Sequence, residues 1–470
     1  MPESNFMTAA ELASAYRSRT ISPVEVTRAL LDHIEARDRF IDSFLTVTRE
    51  RAVADARTAE QQFMRGEDRG PMQGIPYGLK DIIETAAIRT TGQSRSLANH
   101  VPAQDATVAA RLAEAGGVLI GKNTTWEFAH GGAAWDVVGP PAHNPWNPDH
   151  HPAGSSSGTG AAIAAGFITT GVGTDTGGSV RMPAAACGIA GLKPTYGRIS
   201  RRGIFPNSFS HDHAGPMARN SRDVAMMLQV IAGYDAADPG SADVAVPDYT
   251  AGLSGDMKGM RVGVPWEWLE EAECSEGTLG AFKNALQILE SLGASLVAVK
   301  LPSLQAFSDS KKTIAMSELF SIHSKTLRET PELLGASLRY RIQCGALIRA
   351  EDYLRAMRLR ARLARAMQAV LRTVDLIACP CAEPAGKLEK PQADGLFNKK
   401  SLTTPFNSTG NPAISINMGF SPEGLPYSLQ LAGRLFEEAS VLRAADAYEC
   451  AAGWLGQHPA LFTEPVLDTV

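Results

Sequence analysis

The chain has 470 residues, 44% of them hydrophobic and 20% charged, a balance that suits a globular protein with a substantial core and excludes extended disorder. A formal net charge of −5 and a pI near 6.1 provide no overall field to attract nucleic acid or an anionic membrane. Met1-Pro2-Glu3-Ser4-Asn5 lacks a basic leader and no apolar run reaches about 18 residues, so the expectation is a cytoplasmic protein with a small-molecule partner, no nucleic acid, no membrane, and homodimerisation left open. The six cysteines are scattered, and Cys379-Pro380-Cys381 has the wrong spacing for a redox or zinc pair, so reduced and mostly buried thiols are expected.

Two capping boxes, Thr8 with Glu11 and Ser22 with Glu25, predict helices at the start, and a third helical stretch runs over 51–65. Gly74 to Lys80 combines turn punctuation with a short apolar run, which puts Lys80 at the end of a buried strand. A helix over 107–115 and a strand at Val118-Leu119-Ile120 follow, then a small-residue helix over 158–166 and a strand over 167–173. Strand, helix and strand return between 255 and 299, the alternation expected of α/β architecture. Residues 333–373 read as a long helical stretch carrying Arg349, Arg355, Arg358, Arg362 and Arg365, for which a solvated face is preferred over an RNA-facing one.

Chemistry concentrates between Gly154 and Ser179. Thr174-Asp175-Thr176-Gly177-Gly178-Ser179 sets two glycines before a serine at a strand end, either a capped tight turn or a place where backbone N–H groups converge as an oxyanion hole. No histidine declares itself as the base a serine nucleophile needs. Gly154-Ser155-Ser156-Ser157-Gly158 matches the nucleophile elbow of α/β-hydrolases, but the proline-broken run Asn144 to Pro152 before it cannot be the strand that elbow requires.

Taken together, Gly154 to Gly158, Gly173 to Pro183 and Gly188 to Thr195, with Gly74 to Asp81 upstream and Asp375 to Pro384 and Asn407 to Ala413 downstream, resemble the amidase signature family over nearly the whole chain. The resemblance implies a single α/β domain over 1–470 with a large mixed central sheet flanked by helices on both faces. Within it, N-terminal helices would occupy about 8–65, the signature core 70–235, a helical substrate-facing insertion 300–373 and the rest of the core 374–465. It also implies Lys80 as base, Ser155 as a bridging serine after a cis peptide bond, Ser179 as nucleophile, and the N–H groups of Thr176, Gly177, Gly178 and Ser179 as oxyanion donors. Amide hydrolysis through an acyl-enzyme follows, with no cofactor and no metal.

Several patterns are set aside. His211-Asp212-His213 has no further ligand at a telling spacing, Gly116 to Asn123 reads as a strand, Ser308-Asp309-Ser310-Lys311 is short enough to arise by chance, and Lys193 reads as structural. For the substrate, Lys400 falls where a glutamine-specific relative would hold the ammonium with an acid, and a lysine there would repel it. His130, Gly131 and Gly132 are expected near the substrate entry, and Trp126, Trp135, Ile204, Phe205 and Phe406 as pocket walls. The expected function is hydrolysis of small hydrophobic amides, anilides or carbamates, including aryl acylamidase and urethanase activity. The alternative is the glutamine-hydrolysing A-type subunit of a tRNA-dependent amidotransferase.

Overall fold

The computed structural model describes residues 5–389 and 400–463. The first four residues, part of the leader expectation, and the last seven lie outside that range.

Both capping boxes form as expected and open helices α1 (Ala9–Arg17) and α2 (Pro23–Arg37). Strand β1 (Phe44–Val47) and helix α3 (Arg49–Met64) lead to β2 (Pro76–Lys80), every residue of which is buried. Helix α4 (Thr107–Glu114) precedes β3 (Val118–Asn123), and the small-residue helix α5 (Ser157–Ala164) precedes β4 (Thr170–Asp175). Then come α6 (Arg181–Cys187), β5 (Ala190–Lys193), β6 (His213–Ala218) and α7 (Ser221–Ile231). The next unit is β7 (Arg261–Val264), α8 (Trp266–Glu271), α9 (Glu276–Ser291) and β8 (Ser295–Ala298). A helical layer follows, α10 (Leu304–Glu329), α11 (Ala336–Gly345) and α12 (Ala350–Leu371), so the long helical stretch is two helices with a break at Ala346–Arg349. The chain closes with β9 (Leu376–Pro380), α13 (Thr404–Thr409), β10 (Ala413–Phe420), β11 (Pro426–Gly433) and α14 (Glu438–Ala452).

The eleven strands make one mixed sheet in the order β1-β3-β2-β4-β6-β5-β10-β11-β9-β7-β8. β2 runs parallel to both β3 and β4, whereas β4 to β6, β6 to β5, β5 to β10, β10 to β11 and β11 to β9 are antiparallel. The central strands carry apolar residues on both faces because helices cover both. In β3, Leu119 belongs to the core that α1, α4, α7 and α14 build, while Val118 and Ile120 belong to the one built by α2, α3 and α5. The fold class is therefore the expected one. No helix among the described residues is long and apolar enough to cross a membrane.

β2 and β4 are neighbours, which sets Lys80 beside the loop that follows β4. Space is tight there: a Cβ on Gly158, at the start of α5, would lie 2.4 Å from the Ser43 carbonyl oxygen and 2.5 Å from the Thr124 nitrogen. Both obstacles are backbone and cannot swing away. Gly158→Ala is expected to cost about 3 kcal/mol of stability, read as a lower urea midpoint at unchanged slope; an unchanged midpoint would show that the two segments separate freely.

Candidate active site

Lys80 ends β2 with no solvent exposure, and its Nζ lies 2.6 Å from Ser155 Oγ and 2.8 Å from Thr174 Oγ1. Burial pushes the amine down to about 7, against the opposing pull of the Asp175 and Asp212 carboxylates. Such an amine is largely neutral just above neutrality and can accept a proton.

Ser155 follows a cis peptide bond from Gly154 and is fully buried. Its carbonyl accepts from the Trp126 N–H at 3.2 Å and the Thr125 hydroxyl at 2.9 Å. Glycine is required at 154 by space, since a Cβ there would fall 2.2 Å from the Trp126 ring. Trp126, expected as a pocket wall, packs on the Gly154–Ser155 backbone. The Ser156 N–H donates to the Ser179 carbonyl at 3.2 Å and ties the two serine segments together. The Ser156 hydroxyl exchanges hydrogen bonds with the Thr174 backbone, which accounts for the elbow-like motif as a structural clamp.

The loop from Thr176 to Ser179 is held from several sides. The Asp175 carboxylate accepts the Gly178 N–H at 2.7 Å, the Val180 N–H at 3.2 Å, Arg181 Nε and Nη2 at 3.0 Å each and Asn407 Nδ2 at 2.8 Å. Burial alone would raise its affinity for a proton, but the Arg181 charge and these donors hold it well below the usual carboxylate range. Thr403 Oγ1 donates to the Gly177 carbonyl at 2.7 Å, and Thr176 Oγ1 donates to Asp212 at 2.6 Å. The Gly178 N–H, one of the four expected oxyanion donors, is occupied by Asp175, whereas Thr176, Gly177 and Ser179 lie outside that carboxylate cradle. Gly178 has φ +128°, a conformation that excludes most side chains. Ser179 itself is half-buried, whereas Lys80 and Ser155 are fully enclosed, so it forms the accessible end of the group.

Two cations that sequence reasoning passed over lie nearby, Lys311 against Gly177 of this loop and Arg341 against Gly131. Lys311 of α10 approaches so closely that a Cβ on Gly177 would lie 3.0 Å from its Nζ. Burial and the Arg341 charge push its amine down to about 8. Arg341 of α11 donates Nη2 to the Gly131 carbonyl at 3.0 Å, and its enclosed Nε, like the enclosed Ser337 Oγ nearby, has no partner. Among the described residues neither cation has an acid within ion-pair distance. His130 joins them. Its Nδ1 pairs with Asn207 Oδ1 at 3.0 Å, its Nε2 is enclosed without a partner, and burial with the Arg341 and Lys311 charges lowers it to about 3, so it stays neutral. Gly131 and Gly132 follow at φ +97° and +149°, carrying the chain past Ser337.

The expected pocket walls divide. Ile204 and Phe205 line a cavity of about 530 Å³ that also reaches Thr174, Thr176, Asp212 and His213, and Phe205 packs on Phe128 at 5.9 Å. Phe406 is fully buried against Trp268 at 6.1 Å and belongs to the main core, because α13 turns that side chain toward α8. Trp135 is 43% exposed on the surface. Lys400 pairs with Glu271 at 3.9 Å, so its charge is answered by α8. His211 and His213 do structural work: His213 Nδ1 donates to the His211 carbonyl at 2.6 Å, and His211 Nδ1 meets the Ser208 and Ser210 hydroxyls.

Residues 25–442 match the family model described as Amidase. The chain belongs to the amidase signature family. Along 98% of its length it is 40% identical to the A-type subunit of the glutamyl-tRNA(Gln) amidotransferase of Chloroflexus aurantiacus, the match covering 100% of that relative. Its structure matches a bacterial aryl acylamidase of the same family at a TM-score of 0.88 and 25% identity, covering 98% of this chain and 99% of that one. The peptide amidase of Stenotrophomonas maltophilia matches at 0.84 and 30%, covering 95% and 97%. The enzyme class is therefore an amidase signature hydrolase acting on C–N bonds. Two expectations are overturned by the curated relatives: a free-standing hydrolase of small hydrophobic amides, anilides or carbamates, and a small-molecule partner with no nucleic acid. Full-length relatives at about 40% identity are named as subunits of a glutamyl-tRNA(Gln) amidotransferase.

The Asp175–Arg181 pair is the strut of the loop, with both side chains at 0% exposure. Asp175→Asn leaves Arg181 charged and buried without its counter-ion, and a loss of about 3 to 5 kcal/mol is expected. Calorimetric or urea unfolding checks it, and a variant as stable as the parent would remove the strut argument.

Proposed function

We propose that the chain is the glutamine-hydrolysing A-type subunit of a tRNA-dependent amidotransferase. The observation that carries this reading is the match, along nearly its whole length, to subunits of that name at 40% identity. The cation pair supports it. Lys311 and Arg341 beside Gly177 and Gly131 suit an amide whose acyl portion ends in a carboxylate, as glutamine's does, and would gain nothing from a neutral anilide. The pairing of Lys400 with Glu271 weakens the electrostatic objection to glutamine's ammonium.

In the proposed reaction Ser179 Oγ attacks the side-chain amide carbon while its proton passes to Ser155 and the Ser155 proton to neutral Lys80. The negative charge on the carbonyl oxygen is met by N–H groups of Thr176, Gly177 and Ser179, each donor contributing roughly 3 to 4 kcal/mol in comparable sites. Collapse breaks the C–N bond, the relay returns the proton to nitrogen, and ammonia leaves an acyl ester on Ser179. Water attacks that ester through the same relay and frees glutamate. Thr174 Oγ1 orients the Lys80 amine toward Ser155.

Ammonia release from glutamine by the purified chain tests the reading, with Ser179→Ala as control. Release that vanishes in the variant is expected; release of p-nitroaniline from neutral anilides with none from glutamine would sink it. Arg341→Leu should raise KM for glutamine at least about tenfold with a smaller change in kcat, since a carboxylate contact acts on ground and transition states alike.

The pH dependence follows from Lys80. Only its neutral form accepts a proton, so kcat/KM should climb as pH rises through about 7 and fall about tenfold per unit well below it. Lys80→Met should lower kcat by about 10³-fold and abolish that limb; a variant that keeps the same profile would assign the base elsewhere.

A further inference from the structure

Helix α12 has two unlike sides. Its inner side sends Ala356, Leu363, Met367 and Leu371 into the protein, and Arg360 donates to the carbonyls of Ser408 and Ser210 at 2.7 Å each. Its outer side carries Arg355, Arg358, Arg362 and Arg365, with Arg372 just past the last turn, all exposed. At 3.6 residues per turn these positions fall within an arc of about 100° and extend over about 25 Å of helix.

Charge is normally balanced on such a surface. Arg349, at the start of the same helix, pairs with Glu351 and Asp352. Among the described residues none of the five outer arginines has a carboxylate within ion-pair distance. Like charges three and four residues apart destabilise a helix, and here they persist on a chain whose net charge is −5.

We propose that this face binds the phosphate backbone of an RNA. Three features favour RNA over an acidic protein. All five cations are guanidiniums, whose planar fork matches phosphate oxygens in pairs. Ala369 lies between the arms and Ala361 beside them, both short and exposed. The only exposed large apolar side chain on the helix is Leu354, whereas a protein interface centres on an apolar or aromatic patch. The binding face stands on this geometry; it rests on the amidotransferase reading only for the choice of tRNA as the RNA.

The test is binding of a fluorescent tRNA transcript to the full chain between about 50 and 300 mM salt, where each phosphate contact adds close to one unit of slope in log affinity against log salt. Binding that weakens steeply with salt is expected. The variant Arg358→Gln/Arg362→Gln/Arg365→Gln should lose about two to three units of slope and at least tenfold in affinity at about 0.1 M salt. A control carrying Arg28→Gln/Arg39→Gln/Arg57→Gln, exposed positions on the N-terminal helical region, should keep both.

Absence of binding by the parent chain at the lowest salt, or a triple variant that binds like the parent, would overturn the proposal. So would poly-glutamate displacing the tRNA equally well per charge, which would assign the face to an acidic protein. Glutamine hydrolysis is measured in the same preparations and should be equal in all three. Its absence from the parent would remove the glutaminase reading while the binding result still judged the arginine face.

Discussion

Asp175 and Arg181 lie six residues apart across the loop that follows β4, both withdrawn from solvent, and nearly everything around that loop leans on the pair. Two buried charges are costly unless their remaining hydrogen-bonding capacity is filled. Here it is filled: Arg181 also donates to the Thr403 carbonyl, Gln430 Oε1 and Asn407 Oδ1. Those partners come from the C-terminal third of the chain, so the loop that ends β4 is anchored on residues more than two hundred positions away. The geometry of four consecutive residues thereby depends on the closure of the whole sheet.

Three buried lysines illustrate how surroundings divide one residue type into different tasks. Lys122 donates to the Ile83 carbonyl and to Thr90 Oγ1, has Asp81 3.9 Å away, and is pushed down to about 8. Lys193 spends its Nζ on the Pro194 carbonyl and feels Arg181, which with burial drives it well below the ordinary lysine range. Of the three, Lys80 alone has hydroxyls as both of its hydrogen-bond partners, whereas Lys122 divides its amine between a carbonyl and the Thr90 hydroxyl. A hydroxyl can give a proton as well as take one, and a carbonyl cannot, so of the three only Lys80 faces hydrogen-bond partners that can all exchange a proton with it.

Local signals carried through to the structure where they had a local cause. The capping boxes closed because side chain and backbone partner are three residues apart, and Lys80 was buried because the apolar run before it forms an inner strand. The β4 strand begins at Thr170, three residues later than its apolar pattern suggests, since Phe167 and Ile168 pack under α5 before pairing starts. What stayed illegible was set by distance. Lys311 reaches Gly177 and Arg341 reaches Gly131 from helices over a hundred residues further on, and a four-residue pattern such as Ser308 to Lys311 cannot announce where its helix will dock. The loss of the Gly178 N–H to Asp175 is likewise a matter of turn geometry that the spelling of the loop does not encode. Phe406 was misplaced because a six-residue helix can face either way, and Trp268 decides the matter.

The division of labour between supports has an evolutionary side. The loop after β4 is gripped by β11, α13 and the segment before it, while Lys311 and Arg341 hang from α10 and α11. Substitutions in those two helices can move the two cations without loosening a single bond of the grip. Structural neighbours as different as a peptide amidase and an aryl acylamidase, on a backbone this similar, are what a scaffold with such separable attachments would be expected to leave behind.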